Sequence, residues 1–479
     1  MQEDSFDFVV LGGGVSGLGF AKRVSENGKS ALVLEKEAAV GGLSRSIEYK
    51  GFYLDFCAHR FHTKNKALLD EILALPGLKM EKHIKKSRNY MFGKYIKYPF
   101  EVQDLLRAMP ITKSIPAGFS FLWNTLIGKH FKDKTKLRSF EDWFSYIYGY
   151  KLYDVMARQY TAKVWQHDPR EISADWADQR LQGEDLVKLL KRIIRKILTL
   201  DFRSYNLEDD SLAPDGGPFH YPLRGIQELP DALARAARSN GAKILTGARI
   251  ARIDTKSRTV YYEHEGQSYI AKYEQLVSTI PLHTFYNLQE KRNDAVEKAL
   301  SGLKYLDIIF VFLFLDVPRV SNDHWLYFPD KDITFNRAVE FSNWSPVMCP
   351  PGKTSICFDI TSFEDSGQWK MSDKELVERT IADADKAGYV KKEHVIDSLV
   401  TRVKYAYPFY DLDYREKLDT IVNFLETSQV HLLGRTGIFR YNNSDNSIEM
   451  GFELAEKMLA AKDATQVSAY EYKVKEVSY

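Results

Sequence analysis

Gly12, Gly14 and Gly17 stand at the spacing that brings bare backbone against a pyrophosphate, and Glu35, 21 residues after Gly14, is an acid within reach of ribose hydroxyls. The chemistry of such a set is grip: amide N–H groups and a helix N-terminus hold two phosphates, and a carboxylate selects a sugar hydroxyl. Each residue needs an element behind it. Gly12 permits a tight turn, Gly14 lets the backbone approach the phosphates, and Gly17 lets the following helix lie close on a sheet. The chain supplies those elements. Phe6-Asp7-Phe8-Val9-Val10-Leu11 is an apolar run, a helix-like segment follows the glycines, and Ser30-Ala31-Leu32-Val33-Leu34 is a second apolar run ending at Glu35. Glycines alone would fit any plain loop; strand, turn, helix, strand and acid in register predict a dinucleotide-binding unit.

A second glycine pair follows at once, Gly41-Gly42-Leu43-Ser44-Arg45. Another stretch of bare backbone beside the first suits a pyrophosphate that lies extended, and Arg45 adds a charge-assisted contact. This pattern resembles the FAD-binding family of flavin amine oxidases, protoporphyrinogen oxidases and UDP-galactopyranose mutases, which implies FAD in preference to NAD.

At 479 residues the chain exceeds one ordinary core, so two or three structural units are expected. The net charge of +2 argues against a nucleic-acid binder with a dominant basic face. Cys57, Cys349 and Cys357 have neither disulfide-framework nor metal-type spacing, which predicts a reducing, cytoplasmic setting and no metal. Met1-Gln2-Glu3-Asp4-Ser5 lacks the basic start of a signal peptide, and the longest apolar run, Ile308 to Leu315, suits a buried strand. A soluble protein is the expectation.

The textures along the chain interleave. The fold class predicted is α/β: an interrupted Rossmann-like FAD-binding domain of the glutathione-reductase type, a helical domain, and an antiparallel β-sheet substrate domain. The cofactor unit is assigned to 1–85, 206–290 and 430–479, the last with a C-terminal tail. Helical periodicity marks 101–205, including Phe140 to Phe144 and Leu152 to Ala157, and strands dominate 86–100 and 291–429. Within these, Leu229 to Asn240 reads as a helix, Ala242 to Leu245 and Arg249 to Ile253 as strands on the adenine side, and Lys272 to Pro281 as a strand entering the site. Asp307 to Asp316, Thr354 to Ile360 and Ser398 to Tyr407 read as further strands. Val430 to Arg435 is a last strand, and Ser447 to Ala461 a helix whose N-terminal amides face the flavin's electron-rich end.

Leu186 to Leu200 sets Leu186, Leu189, Leu190, Ile193, Ile194 and Ile197 on one stripe, opposite Lys188, Lys191, Arg192, Arg195 and Lys196. Such a helix suits peripheral contact with an anionic membrane or polyanion, but a core helix with a solvated basic face is the preferred reading.

Ordered short strings carry a wider resemblance, to UDP-galactopyranose mutases and most closely the eukaryotic-type branch, over nearly the whole chain. Asp55-Phe56-Cys57-Ala58-His59-Arg60-Phe61 matches the family's histidine loop, with Cys57-Ala58 where Gly-Gly is usual. Tyr98-Pro99-Phe100, Lys163-Val164-Trp165, Trp176 to Arg180, Trp325 to Pro329, Arg337, Phe341-Ser342-Asn343, Tyr407-Pro408, Gly434-Arg435, Tyr441 and Asn443 follow. Departures are Glu101 for a usual Gln, Thr161 for a usual Asn, Trp344 for a usual phosphate-binding Tyr, and a loop between Tyr441 and Asn443 shortened by two residues.

The resemblance implies a redox-neutral pyranose–furanose exchange on a UDP-hexose, in glycan biosynthesis, with FAD active in its reduced form and primed by NAD(P)H or another reductant. It implies attack by N5 of the reduced flavin on the anomeric carbon, with the nucleoside diphosphate expelled. It further implies Arg337 as the leading diphosphate clamp and Arg180 as a second, Tyr407 and Tyr441 as hydroxyl donors, Arg435 near sugar and flavin, and His59 positioning the loop at N5. Tyr98, Phe100, Tyr160, Trp165 and Asn443 complete the substrate set. Ile250, Gly434, Asn446 and Ser447 join Gly12, Gly14, Gly17, Glu35, Gly41, Gly42, Leu43, Ser44, Arg45 and His59 around the cofactor. A homo-oligomer is compatible with this reading. Two alternatives share the cofactor residues: a protoporphyrinogen oxidase or amine oxidase type of oxidoreductase, and a silent nucleotide-sugar-binding flavoprotein.

Overall fold

The computed structural model describes residues 2–98, 108–131, 133–181, 218–426 and 428–461. Strand Gln2–Leu11 carries Val9, Val10 and Leu11 fully buried, because both faces of a parallel strand are covered. It pairs in parallel with Ala31–Leu34 on one side and Gln267–Ser278 on the other. Lys243–Leu245 extends the sheet beyond Ala31–Leu34, while Val430–Leu432 runs parallel to the end of Gln267–Ser278. An antiparallel pair, Arg249–Asp254 and Thr259–His264, completes this seven-stranded sheet. Three distant stretches of chain therefore make one sheet.

Helix Val15–Glu26 is the crossover, packed between helices Glu228–Ser239 and Ser444–Ala460. Its closeness to the sheet depends on Gly17, where a Cβ would lie 2.5 Å from the Gly12 carbonyl oxygen. The helix anticipated over Leu229 to Asn240 runs Glu228–Ser239, and the last helix starts at Ser444, a little before the anticipated Ser447.

The second sheet runs in the order Val395–Phe409, Lys304–Leu315, Thr354–Ser362, Arg337–Glu340, Trp325–Tyr327, Ser87–Met91, Lys94–Tyr98. One pairing departs from the antiparallel expectation: Trp325–Tyr327 lies parallel to Ser87–Met91, since these strands come from remote parts of the chain and no hairpin fixes their direction. The apolar run Ile308 to Leu315 is continuous because each face has its own core. Phe310, Phe312 and Phe314 face the main core, while Ile309, Val311, Leu313 and Leu315 pack in a second core with Leu376 and Ala384 of helix Asp373–Lys386.

Helices Ile111–Leu126, Phe140–Tyr148, Gln159–Trp165 and Ala174–Leu181 form a third region. Ser139 and Asp142 cap the second of them reciprocally, which fixes where it begins. Lys163 ties this region to the second sheet by donating to the carbonyl oxygens of Phe328, Asp330 and Phe335 at 2.7, 2.8 and 2.6 Å. The basic helix anticipated over Leu186 to Leu200 lies outside the described residues, as do Phe100, Glu101 and the side chain of Arg180. Among the described residues no helix is long and apolar enough to cross a membrane, and no cluster of His, Cys, Asp and Glu is arranged to hold a metal.

Candidate active site

A cleft of about 850 Å³ runs from the glycine turns to the second sheet. At its first end the Glu35 carboxylate is fixed by two amides: Gly13 N–H donates to Oε2 at 2.7 Å and Glu37 N–H to Oε1 at 2.9 Å. Gly41 N–H donates to the Gly13 carbonyl at 2.8 Å, so the two glycine segments lie side by side. A Cβ built on Gly14 would meet nothing within 4 Å, and one on Gly42 would meet only the Gly14 Cα, at 3.3 Å. That bare floor leaves room for a pyrophosphate to approach the backbone. Arg45 rests over the Phe56 ring at 5.0 Å with Nη1 3.2 Å from Glu37, and its buried Nε finds no acceptor among the described residues. Asn446 and Ser447 line the cleft from the first turn of helix Ser444–Ala460, and Ile250 lines it from strand Arg249–Asp254. These residues fit FAD.

The loop after strand Phe52–Asp55 forms the middle wall. Asp55 anchors it, accepting from Ser46 Oγ at 2.6 Å, Tyr221 Oη at 2.7 Å and Ile226 N–H at 3.1 Å, and burial pushes its carboxyl up to about 6. Cys57, at a position where the resemblance expects glycine, has φ +80°, a conformation that costs a side-chain-bearing residue about 1–3 kcal/mol. Its thiol donates to Asp359 Oδ2 at 2.9 Å and touches the Arg337 guanidinium. His59 Nε2–H donates to the Phe56 carbonyl at 2.7 Å, and the ring also faces the Leu43 backbone, joining this loop to the glycine segment. Burial, then the Arg435 charge, pushes the imidazole down to about 4 against both carbonyls, so His59 is neutral at pH 7.

A pH test follows for this loop. A depressed histidine binds fewer protons in the folded than in the unfolded state between pH 4 and 6.5, so its contribution is lost as pH falls through that window. Asp55, raised, slopes the opposite way between its ordinary value and about 6. His59→Gln should therefore gain on wild type by about 1–2 kcal/mol on going from pH 7 to pH 5, a figure reduced for the ring's partial solvent access. Urea midpoints at the two pH values measure it; a stability gap that stays constant removes the assignment.

At the far end, Arg337 and Asp359 are cross-strand neighbours, with Nε and Nη2 2.8 and 2.7 Å from Oδ2. Arg435 is oriented by the carbonyls of Asn442 and Ala406 and sits over the rings of Tyr407 and Tyr441 at 5.2 and 5.1 Å. Burial pushes the Tyr407 hydroxyl up to about 12, so it stays a donor.

The cleft brings together His59, Arg337, Arg435, Tyr98, Tyr407, Tyr441 and Asn443 with Gly12, Gly14, Glu35 and Gly41 to Arg45. Others stand behind its wall. Trp165 is buried at 2% exposure against Trp176 and Tyr407, Tyr160 packs on Tyr327 with ring centres 6.0 Å apart, and Gly17 and Gly434 make close backbone packing possible. Trp344 is a core residue whose indole donates to the His324 carbonyl at 3.0 Å, and Thr161 is likewise buried. Sequence reasoning placed Tyr327 only within the string Trp325 to Pro329 and gave it no site role, although it lines the cleft, and it passed over Asp359, which neutralises Arg337. Asp359 did carry a signal: it is the acid in the otherwise uncharged run Thr354 to Ile360.

The family model for flavin containing amine oxidoreductases matches residues 15–420. A UDP-galactopyranose mutase of Mycoplasma pneumoniae is 38% identical over 72 residues, a stretch that is 14% of this chain and 18% of that protein. The chain thus matches less than a fifth of that relative's length. A crystal structure of a reduced UDP-galactopyranose mutase superposes with TM-score 0.80 at 22% identity, covering 97% of this chain and 98% of the other. A structure described as a protoporphyrinogen oxidase from Exiguobacterium sp. 255-15 gives TM-score 0.69 at 13% identity, covering 95% and 98%. These two likenesses establish the fold.

Proposed function

The chain belongs to the flavin containing amine oxidoreductase family, and from that premise we propose that it is a flavin-dependent nucleotide-sugar mutase, exchanging the pyranose and furanose forms of a UDP-hexose. One observation carries the reading: two guanidinium groups, Arg337 and Arg435, line the same cleft as the glycine turns, with Tyr407 and Tyr441 beside them. Two fixed cations repel an ammonium substrate and attract a diphosphate. The full-length likeness to a reduced mutase supports the same choice.

In this reading Arg337 grips the diphosphate bidentately, turning from Asp359, while the Tyr407 and Tyr441 hydroxyls donate to phosphate oxygens. Arg435, already oriented by two carbonyls, presents its charge where the diphosphate must leave and return. Neutral His59 holds the Cys57–Ala58 backbone at the cofactor's edge. Reduced FAD, primed by NAD(P)H or another reductant, would supply the nucleophile for the anomeric carbon, which is why no net oxidation is needed.

A second reading, hydride removal by an oxidoreductase, is favoured by the protoporphyrinogen oxidase likeness and by Asp359, which already offsets one of the two charges. Anaerobic incubation with a UDP-sugar panel, with and without dithionite, separates them. Product formed only with reduced flavin, and without net reductant consumption, supports the mutase; bleaching of oxidised flavin by substrate overturns it.

A further inference from the structure

Helix Ile111–Leu126 is built inside out. Its buried side holds Ala117 and Asn124, and Asn124 Nδ2 donates to the Tyr146 carbonyl at 2.7 Å. Its large apolar residues point to solvent: Ile111, Ile115, Phe119, Leu122 and Leu126 are 72, 67, 69, 47 and 69% exposed, at i, i+4, i+8, i+11 and i+15. Trp123 at 54% widens the stripe, and Phe131, in the turn Gly128–Phe131 after the helix, is 84% exposed. A soluble monomer rarely leaves a contiguous apolar patch beyond a few hundred Å², and this one spans four turns of helix.

The sequence that carries the stripe is basic. Between Arg107 and Arg138 the sequence has seven lysines and arginines against one acid, Asp133, although the whole chain carries only +2. Among the described side chains Lys113, on the helix, is exposed, as are Lys136 and Arg138 in the segment that follows it, Lys136 4.0 Å from Asp133 and Arg138 3.3 Å from Asp413. A 16-residue helix is about 24 Å long, shorter than a bilayer's hydrocarbon core, so it cannot span one but can lie along its surface. Aromatic and aliphatic residues on one side with lysines at the margin are the chemistry of the headgroup boundary.

We propose that this face is a peripheral anchor that rests its apolar stripe in the headgroup region of an anionic bilayer. Each basic residue near the surface adds attraction to anionic lipid, whereas a second copy docked on the same patch would set lysine margin against lysine margin. The anchor is separate from the cleft and does not depend on the reaction proposed for it.

Flotation of the purified full chain with vesicles tests this. Vesicles of phosphatidylglycerol and phosphatidylcholine should bind at least about tenfold more protein than phosphatidylcholine alone, and raising salt from 0.05 to 0.5 M should weaken binding by about as much. The double variant Phe119→Asp with Leu126→Asp should lose anionic-vesicle binding about tenfold while keeping the wild-type circular dichroism spectrum. Lys113→Glu with Lys136→Glu, which leaves the stripe intact, should abolish the preference for anionic lipid. Wild type that floats with neither vesicle overturns the proposal, as does an aspartate variant that floats equally well. A wild-type dimer dispersed by the aspartates, without vesicle binding, assigns the face to self-association and equally overturns it.

Discussion

Arg337→Ala should lower kcat/KM for a UDP-hexose by on the order of 30- to 3,000-fold, equivalent to about 2–5 kcal/mol, because a desolvated diphosphate would be left without its fork of donors. The single variant has a second effect that must be separated from the first. Arg337 is the ion-pair partner of Asp359, which is 4% exposed, so its removal leaves a buried carboxylate uncompensated at a further cost of about 3–5 kcal/mol in folding. Arg337→Met with Asp359→Asn removes both charges together and should fold like wild type. If Arg337 is the clamp, that double variant still binds flavin and still turns over poorly. Asp359→Asn alone should lower KM, since the guanidinium no longer has to leave a partner. A double variant with wild-type kinetics ends the assignment.

Gly14→Val should fold normally and purify nearly colourless. The backbone at Gly14 has φ −70° and ψ 168°, which valine adopts without strain, and its Cβ would point into open space. If that space receives the pyrophosphate, as proposed, affinity for FAD should fall by about 100-fold or more while circular dichroism stays unchanged. Gly17→Ala makes the contrast. Its Cβ would lie 2.5 Å from the Gly12 carbonyl, so it should lose flavin and fold together. The ratio of flavin absorbance to protein in each preparation is the measurement, and a Gly14→Val protein of wild-type yellow colour rules out the cradle.

The glycine-turn end of the cleft was legible as geometry because its determinants are local. Residues 2 to 35 are one strand–turn–helix–strand unit, and every spacing within it is set by the geometry of those elements. The far half depends on pairings that no local spacing encodes. Arg337 and Asp359 are 22 residues apart and meet because two antiparallel strands share a register, so the acid's influence on the arginine emerges only in three dimensions. Trp165 is a similar case, since helical periodicity gives it an inward face without saying whether a cleft or a core lies there. The left-handed backbone at Cys57 is not announced by the cysteine itself; only the glycine pair that the resemblance expects at Cys57-Ala58 pointed to it.

Strand Gln2–Leu11 pairs with Gln267–Ser278, and that strand with Val430–Leu432. On a ribosome elongating at about 5–20 residues per second, the first strand would wait on the order of 15–50 s for its second neighbour. Through that interval an apolar edge is open to wrong pairing on the nascent chain. Yield in cells should then respond to translation speed and holdase supply more than to equilibrium stability.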